Sequence, residues 1–329
     1  MIISRAPYRI SFVGGGTDLK SFYSSSYGMT ISTSINKFIY IVVKKPSGYI
    51  EKKYKINMGD VQHTNYLNKI KHPIVRETLK LLKINFPIEI GMYADMPSRS
   101  GLGSSSSFTV ALIKAIYELK KKKISKYKIA EIAAKIEIDI LKRSIGKQDH
   151  YASAFGSLNL IKYNKNEKVF VNRLNLSDNK QKKIDDNLIL FFTGIRRDSN
   201  DILNYQNQNV ENVKDILIKI RDLVLPFRKL IKGNNIDEIG NILTQSWKLK
   251  KSLSNKISSS KINKYFNIAL SNGALGGKIL GAGGGGFLLF YVRKNKKKQL
   301  INSLKNLTQI NFNFENDGVK IVHNDKLDY

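Results

Sequence analysis

A loop built of glycine and serine, Pro97–Ser107 (PSRSGLGSSSS), constrains the fold of this chain more than any other segment. It follows Pro87–Ala94, which reads as a strand ending in a turn. It opens Ser104–Leu119, where Phe108, Ala111, Leu112, Ala115, Ile116 and Leu119 recur at helical spacing. Glycines let backbone N–H groups approach a phosphate closely. A helix N-terminus adds orphan N–H donors at the positive end of its dipole. The serines add hydroxyl donors and an oxygen for a magnesium ion. These are the parts of a phosphate cradle. No Gly-Lys-Ser/Thr ends the loop, so it is not a Walker A sequence. A serine cap on an ordinary helix uses one serine, whereas four follow Gly-Leu-Gly here.

Two other segments concentrate glycine. Gly281–Gly286 (GAGGGG) formally contains G-x-G-x-x-G. A dinucleotide site needs a helix next and an acidic residue about 20 residues on. Phe287–Val292 (FLLFYV) follows instead and reads as a strand. The segment is therefore a glycine turn between strands, packed close to a ligand or to other backbone. Gly14–Asp18 (GGGTD) follows the first strand-like segment, Ile2–Val13. A plain turn needs fewer glycines, which points to close approach to a ligand here as well.

The remaining segments mix strand and helix patterns without a fixed repeat, an α+β arrangement. With 329 residues, 42% of them apolar, the chain has the size for two lobes and the material for a core. The lysine- and asparagine-rich stretch Asn164–Asn187 reads as the seam and divides the chain into lobes at 1–185 and 186–329. Ile129–Leu141 and Asn200–Lys232 read as helices, and a last strand falls near Val319–Val322. There is no cysteine, which excludes disulfides, thiol catalysis and Cys-ligated metal, and the four histidines are scattered. No signal-peptide pattern opens the chain, and the glycine-broken stretch Ile279–Val292 is too short to span a membrane. A soluble, cytoplasmic protein is expected. A net charge of +30 first suggests nucleic acid. The excess is mostly lysine spread along the chain, however, and no segment alternates arginine with aromatic residues. Solvated surface with some attraction for anionic substrates fits better, and neither nucleic acid nor membrane is expected as a partner.

Three motifs in order give the chain its likeness to a known family. They are Arg5–Asp18 (RAPYRISFVGGGTD), the Pro97–Ser107 loop and Lys278–Gly286 (KILGAGGGG), and they cover it from end to end. With them the chain resembles the GHMP small-molecule kinases. The resemblance implies a two-lobed α+β fold with the nucleotide at the lobe junction. The N-terminal lobe would carry a left-handed β-α-β unit and the C-terminal lobe would be ferredoxin-like. It further implies an ATP-dependent phosphotransferase in which Gly101, Leu102, Gly103, Ser104, Ser105 and Ser106 wrap the ATP phosphates. Ser105 and Glu137 match the family's Mg²⁺ ligands, with Asp139 close by as the competing acid. Asp149, in Gly146-Lys-Gln-Asp149, matches the catalytic aspartate. Arg9, nine residues before Asp18, matches an arginine near the transferred phosphoryl group. Gly15, Gly16, Thr17 and Asp18 match the segment that holds the acceptor, with Gly283 and Gly284 beside it.

Within the family, Gly14–Asp18, Gly146–Asp149 and Thr193–Arg197 (TGIRR) most resemble the kinases that act on D-glycero-D-manno-heptose 7-phosphate. That likeness implies transfer to the C1 hydroxyl, giving the 1,7-bisphosphate, in nucleotide-activated heptose synthesis for surface polysaccharide. A small sugar phosphate of this kind needs cations for its own phosphate. Arg197, Arg196, Lys147 and Lys278 are the candidates, in that order. A GHMP kinase for galactose, fucose or a hexosamine is the alternative within the family. A basic nucleic-acid-binding protein is the remote alternative outside it. A monomer and a homodimer both accord with the sequence.

Overall fold

The computed structural model describes residues 1–46, 50–98, 101–195 and 200–325. The chain opens with β1 (Ile2–Val13), a single-turn α1 (Lys20–Tyr23) and the 17-residue β2 (Gly28–Lys44). β3 (Tyr54–Asn57), β4 (Val61–Thr64), α2 (Pro73–Leu81) and β5 (Ile88–Ala94) follow. Next come α3 (Ser104–Leu119), α4 (Lys126–Ala134), a π-helical turn at Lys135–Ile140 and α5 (Gln148–Phe155). β6 (Leu158–Tyr163), β7 (Val169–Arg173) and α6 (Asp178–Asn187) complete the first half. The second half holds β8 (Leu188–Phe192), α7 (Asn200–Gln208), α8 (Val210–Asp222), α9 (Val224–Lys232), α10 (Ile239–Lys251) and α11 (Ser260–Ser271). It ends with β9 (Ala274–Ile279), β10 (Phe287–Val292), α12 (Lys297–Ser303), β11 (Thr308–Ile310) and β12 (Lys320–Asn324).

The larger sheet is organised by β2, which is long enough to serve three partners. It pairs antiparallel with β1 along almost its whole length, from Ile2↔Val43 to Val13↔Ile31. Its second half pairs with β5 and its first half with β6, so the sheet forks around it. β3 and β5 form a parallel pair, joined through β4 and α2. Across β1 and β2 lies α3, buried from Ser106 to Ile113. A helix apolar nearly all round belongs in a core, and its polar members are satisfied there. Ser107 Oγ donates to the Pro7 carbonyl at 2.9 Å, and Ser4 Oγ of β1 donates to the Ala111 carbonyl at 2.7 Å. The front of α3, and with it the glycine–serine loop, is thereby fixed against β1.

The second sheet has the order β11-β8-β10-β9, all antiparallel. Helices separate β8 from β9 and α12 separates β10 from β11, which is the split β-α-β arrangement of ferredoxin-like folds. The run Phe287–Val292 is buried at every position. Its own core gathers Trp247, Phe266 and Phe290 on one face. The two halves are tied together rather than strung apart. Phe12 of β1 stacks on Phe227 of α9 with ring centroids 5.3 Å apart, and β12 returns to pair with β1.

Three segments differ from the sequence expectation. The stretch 164–187 is not a bare seam, because it carries β7 and α6. Both are solvated elements: α6 buries only Ile184 and Asn187, so its composition reads as linker. The helical region Asn200–Lys232 is three helices, broken at Asn209 and Leu223. Ile129–Leu141 is α-helical only to Ala134, beyond which the chain widens into the π turn.

Candidate active site

The glycine–serine loop reaches α3 through two left-handed residues. Gly101 has φ +84° and Gly103, the cap residue, φ +81°. Both need the missing side chain for packing as well. A Cβ at Gly103 would lie 3.1 Å from Asp149 Oδ2, and one at Gly101 would lie 2.9 Å from the Leu280 carbonyl oxygen. Gly281 of the third glycine segment packs back on Gly101, where a Cβ would come within 2.5 Å of the Gly101 Cα. Gly101, Gly103, Ser104, Ser105 and Ser106 line the cleft that results. Leu102 lies beneath it, its side chain buried and its carbonyl accepting the Arg9 N–H at 3.1 Å.

Arg9 and Asp149 meet in this cleft as a fork. Arg9 Nε donates to Asp149 Oδ1 at 2.6 Å and Nη2 to Oδ2 at 2.7 Å. The remaining terminal nitrogen, Nη1, donates to the Gly101 carbonyl at 2.7 Å. A bidentate arginine–carboxylate pair fixes orientation as well as distance, so the carboxylate is held to the phosphate loop itself. Asp149 is also the second residue of α5, where the helix dipole favours negative charge. Asp18 stands nearby. Its Oδ2 accepts the Gln148 N–H at 3.0 Å and its Oδ1 the Gly16 N–H at 3.1 Å. A side chain at Gly146 would fall 1.9 Å from Asp18 Oδ2, which explains the glycine in that turn. Burial pushes the Asp18 carboxyl above the usual carboxylate range and the Asp149 charge adds to it, while those N–H donors pull the other way.

Of the expected acceptor-binding residues, Gly15, Gly16, Asp18 and Gly283 line the cleft. Thr17 and Gly284 do not. Thr17 is fully buried, its hydroxyl donating to the Gly14 carbonyl and accepting the Met29 N–H, so it braces the turn against β2. Gly284 gives its N–H to the Ile257 carbonyl at 2.7 Å. Gly14 is likewise a packing glycine, since a Cβ there would strike the Met29 carbonyl oxygen at 2.0 Å. Among the expected cations, Arg196 and Arg197 lie outside the described residues. Lys147 turns away to pair with Glu167, its ammonium 4.9 Å from the Tyr23 ring centre. Lys278 does line the cleft.

Glu137 and Asp139, two residues apart on a helical turn, face opposite ways. Asp139 is exposed, whereas Glu137 is fully buried behind the phosphate loop. Its Oε1 accepts from Thr109 Oγ1 at 2.9 Å and pairs with His150 Nε2 at 3.1 Å, and its Oε2 accepts from Arg143 at 2.8 Å. Burial alone would raise this carboxyl, but His150, Arg143 and the Ser105 hydroxyl together hold it below its ordinary value.

Three polar cleft residues lie outside every motif of the sequence: Gln206, Ser246 and Lys250. Lys250 had a signal. It falls seven residues after Leu243 and four after Ser246, in line with the buried stripe of α10 rather than with its solvated lysines. Gln206 had none, since a polar residue in a polar helix does not announce its face.

Comparison with known proteins agrees with this geometry. The GHMP kinases N terminal domain matches residues 65–157 and the GHMP kinases C terminal domain residues 227–308. A D-glycero-alpha-D-manno-heptose 7-phosphate kinase of Campylobacter jejuni is 29% identical over 97% of this chain and 98% of its own length. A galactokinase of Pyrococcus furiosus is 22% identical over 91% of each chain. Among solved structures, a D-glycero-D-manno-heptose 1-phosphate kinase of Bacteroides thetaiotaomicron superimposes with a TM-score of 0.83 at 23% identity, covering 99% of this chain and 100% of that one. The chain belongs to the GHMP kinases and is an ATP-dependent phosphotransferase.

Proposed function

We propose that the chain phosphorylates the anomeric C1 hydroxyl of D-glycero-D-manno-heptose 7-phosphate with ATP, as a step toward nucleotide-activated heptose for surface polysaccharide. The observation that carries this reading is the Arg9–Asp149 fork, held to the phosphate loop beside Asp18. The end-to-end similarity to a heptose 7-phosphate kinase supports the choice of sugar. On this reading the loop N–H groups and serines hold the ATP phosphates, and Asp18 with Gly15, Gly16 and Gly283 holds the sugar. Asp149 accepts a hydrogen bond from the C1 hydroxyl and orients it toward the γ-phosphorus. In phosphoryl transfer with a loose transition state, positioning contributes more than early proton removal. The acceptor oxygen bonds to phosphorus as the bond to the β,γ-bridging oxygen breaks, and that oxygen keeps the electron pair as ADP leaves. The hydroxyl proton passes to Asp149 and on to solvent. Arg9 orients the Asp149 carboxylate and offsets charge on the transferred group.

Among the described residues no three His, Asp or Glu side chains gather into a metal cage. Mg²⁺ bound with a nucleotide takes most of its ligands from phosphates and water and only one or two from protein. Ser105 at the cleft and Glu137 behind it fit that demand, with Arg143 yielding Oε2. An Mg²⁺ ion there would neutralise charge on the phosphate oxygens. The same reading takes residues 1–185 as the ATP lobe and 186–329 as the lobe that covers the acceptor. The protein would be a cytoplasmic monomer or homodimer with neither nucleic acid nor membrane as partner. No helix among the described residues is long and apolar enough to cross a membrane.

The test is ADP release over a panel of heptose 7-phosphate, free heptose, galactose, fucose and hexosamines, with the product position read by phosphorus NMR. Heptose 7-phosphate should be turned over best, at C1. Arg197→Ala should then raise KM for heptose 7-phosphate by about tenfold to a hundredfold, the value of one charge-assisted contact, and barely change KM for ATP. Faster turnover of a free sugar would overturn the substrate and leave the kinase.

A further inference from the structure

Two lysines of the second half face the cleft with no carboxylate paired to either among the described residues. Lys278 on β9 is 3% exposed and donates to the Phe12 carbonyl at 2.8 Å. Lys250, at the end of α10, donates to the Gly281 carbonyl. Among the described residues, the other charged groups facing Lys250 are Arg9 from β1, Asp18 from the turn after it, Asp149 from α5 and Lys278 from β9. Asp149 is already matched by Arg9, and Asp18 already takes two backbone N–H groups. Two ammonium groups set close together without an acid of their own are costly in an empty protein. Both ammonium groups are pushed toward the neutral form. Burial, then the charge of Arg9, brings Lys250 down to about 8 against the pull of Asp18 and Asp149. Burial, then the charges of Lys250 and Arg9, holds Lys278 well below its ordinary value. A purely structural tie to a carbonyl would be served by a neutral donor at lower cost. A cluster of cations is served by an anion of more than one charge.

Position decides which anion. Lys250 holds the carbonyl of Gly281, and Gly281 packs against Gly101 of the phosphate loop. Arg9 donates to the carbonyl of that same Gly101. The ammonium therefore sits where the two glycine loops touch, beside the Arg9–Asp149 fork. That is the crossing point of the transferred group, not the far end of an acceptor.

We propose that Lys250 is a catalytic residue that leaves the Gly281 carbonyl to contact the γ-phosphoryl oxygens as charge develops on them. Lys250 exchanges no proton in this step. The bond changes are those of the transfer itself, acceptor oxygen to phosphorus formed and phosphorus to β,γ-bridging oxygen broken. The inference rests on the kinase assignment and not on the choice of heptose.

Lys250→Met keeps the apolar stem of the side chain and removes its charged end. It should lower kcat and kcat/KM together by about a hundredfold, the usual loss for one preorganised donor to the transition state. KM for ATP should stay within a few fold, and Lys250→Arg should recover part of the rate. A second measurement does not use turnover. In magnesium buffer the wild type should bind ADP with aluminium fluoride, a mimic of the phosphoryl group in flight, more tightly than ADP alone. Lys250→Met should lose most of that preference while binding ADP normally. A rate within threefold of wild type with the fluoride preference intact overturns the proposal. So does a loss confined to KM for phosphorylated acceptors, which would put the ammonium on the acceptor's own phosphate. If the wild type turns over none of the sugars, the acceptor reading fails, and the fluoride comparison still decides Lys250.

Discussion

The two walls of the cleft are built on different principles. On the β1 side, every charged group has its partner before any ligand arrives. Arg9 is shared between Asp149 and the Gly101 carbonyl, and Asp18 is capped by two N–H groups. On the opposite wall, Lys250 and Lys278 lean on backbone carbonyls, and the Gln206 amide nitrogen is buried with no hydrogen-bond partner among the described residues. A paired wall is preorganised and gives a transition state its orientation without reorganising. An unpaired wall stores desolvation cost and releases it when the ligand binds. Substitutions on the first wall should therefore depress kcat. On the second, loss of Lys250 should depress kcat as well, whereas loss of Gln206 should show in the KM of the acceptor alone.

The largest effect is expected on the paired wall. Asp149→Asn keeps the shape and leaves the phosphate loop untouched, yet removes the carboxylate that orients the acceptor. Steady-state kinetics should show kcat down by about a hundredfold or more, with ADP binding by calorimetry unchanged. Near-normal kcat would show that the fork is only a brace. Next come Ser105→Ala and Glu137→Gln. If Ser105 and Glu137 serve Mg²⁺, each should raise the magnesium concentration for half-maximal rate by about tenfold, in keeping with the loss of one of few protein ligands. An unchanged magnesium dependence would remove the metal from that place and leave Glu137 as the buried anchor of Arg143 and His150.

How much of this contrast could be read in advance follows from what each wall is made of. The paired wall advertises itself, because a phosphate cradle needs glycines and serines at fixed offsets and a helix behind them. α3 accordingly spans Ser104–Leu119 as its spacing requires. Arg9 and Asp149 then stand in short motifs, the first inside β1 and the second at the start of α5 just after the Gly146 turn. The unpaired wall is written in residues that mean little singly. Lys250 is flanked by Lys248 and Lys251 in a chain with 56 basic residues, and only its register with Leu243 and Ser246, seven and four residues earlier, separates it from them. Glycine misleads in the opposite direction. Gly14 and Gly284 look like ligand contacts, and what approaches them is the backbone of Met29 and of Ile257. β7 and α6 were illegible because solvated elements carry little periodic apolar signal.

Acidity offers a gentler test of the second wall. Lys250 gives up its proton near pH 8 in the free protein, so its charge is present below that pH and lost above it. If that charge serves the transfer, kcat/KM for ATP should fall severalfold as pH rises through this range, although bound phosphates will hold the proton longer in the complex. Arginine stays protonated, so Lys250→Arg should flatten the alkaline limb. A limb identical in the two enzymes would assign it to another group.

The smallest effect, and the sharpest separation of the walls, is expected at Gln206. Its side chain is 6% exposed, lines the cleft and stands over Gly16, where a Cβ would come within 2.6 Å of the amide nitrogen. An unsatisfied buried donor costs about 1–3 kcal/mol, and that cost disappears if the group is replaced by an apolar one of similar shape. Gln206→Leu should therefore leave the empty protein as stable as wild type or raise its Tm by a few degrees. The acceptor then loses a donor that waits for one of its hydroxyls. KM for the sugar should rise by about fivefold to tenfold, in line with the net value of one neutral hydrogen bond, while KM for ATP stays put. Opposite signs for stability and acceptor affinity are what a donor reserved for a ligand predicts. A donor serving only the fold would lower Tm and leave the sugar KM unchanged, which would place Gln206 among the supports of the Gly14–Asp18 turn.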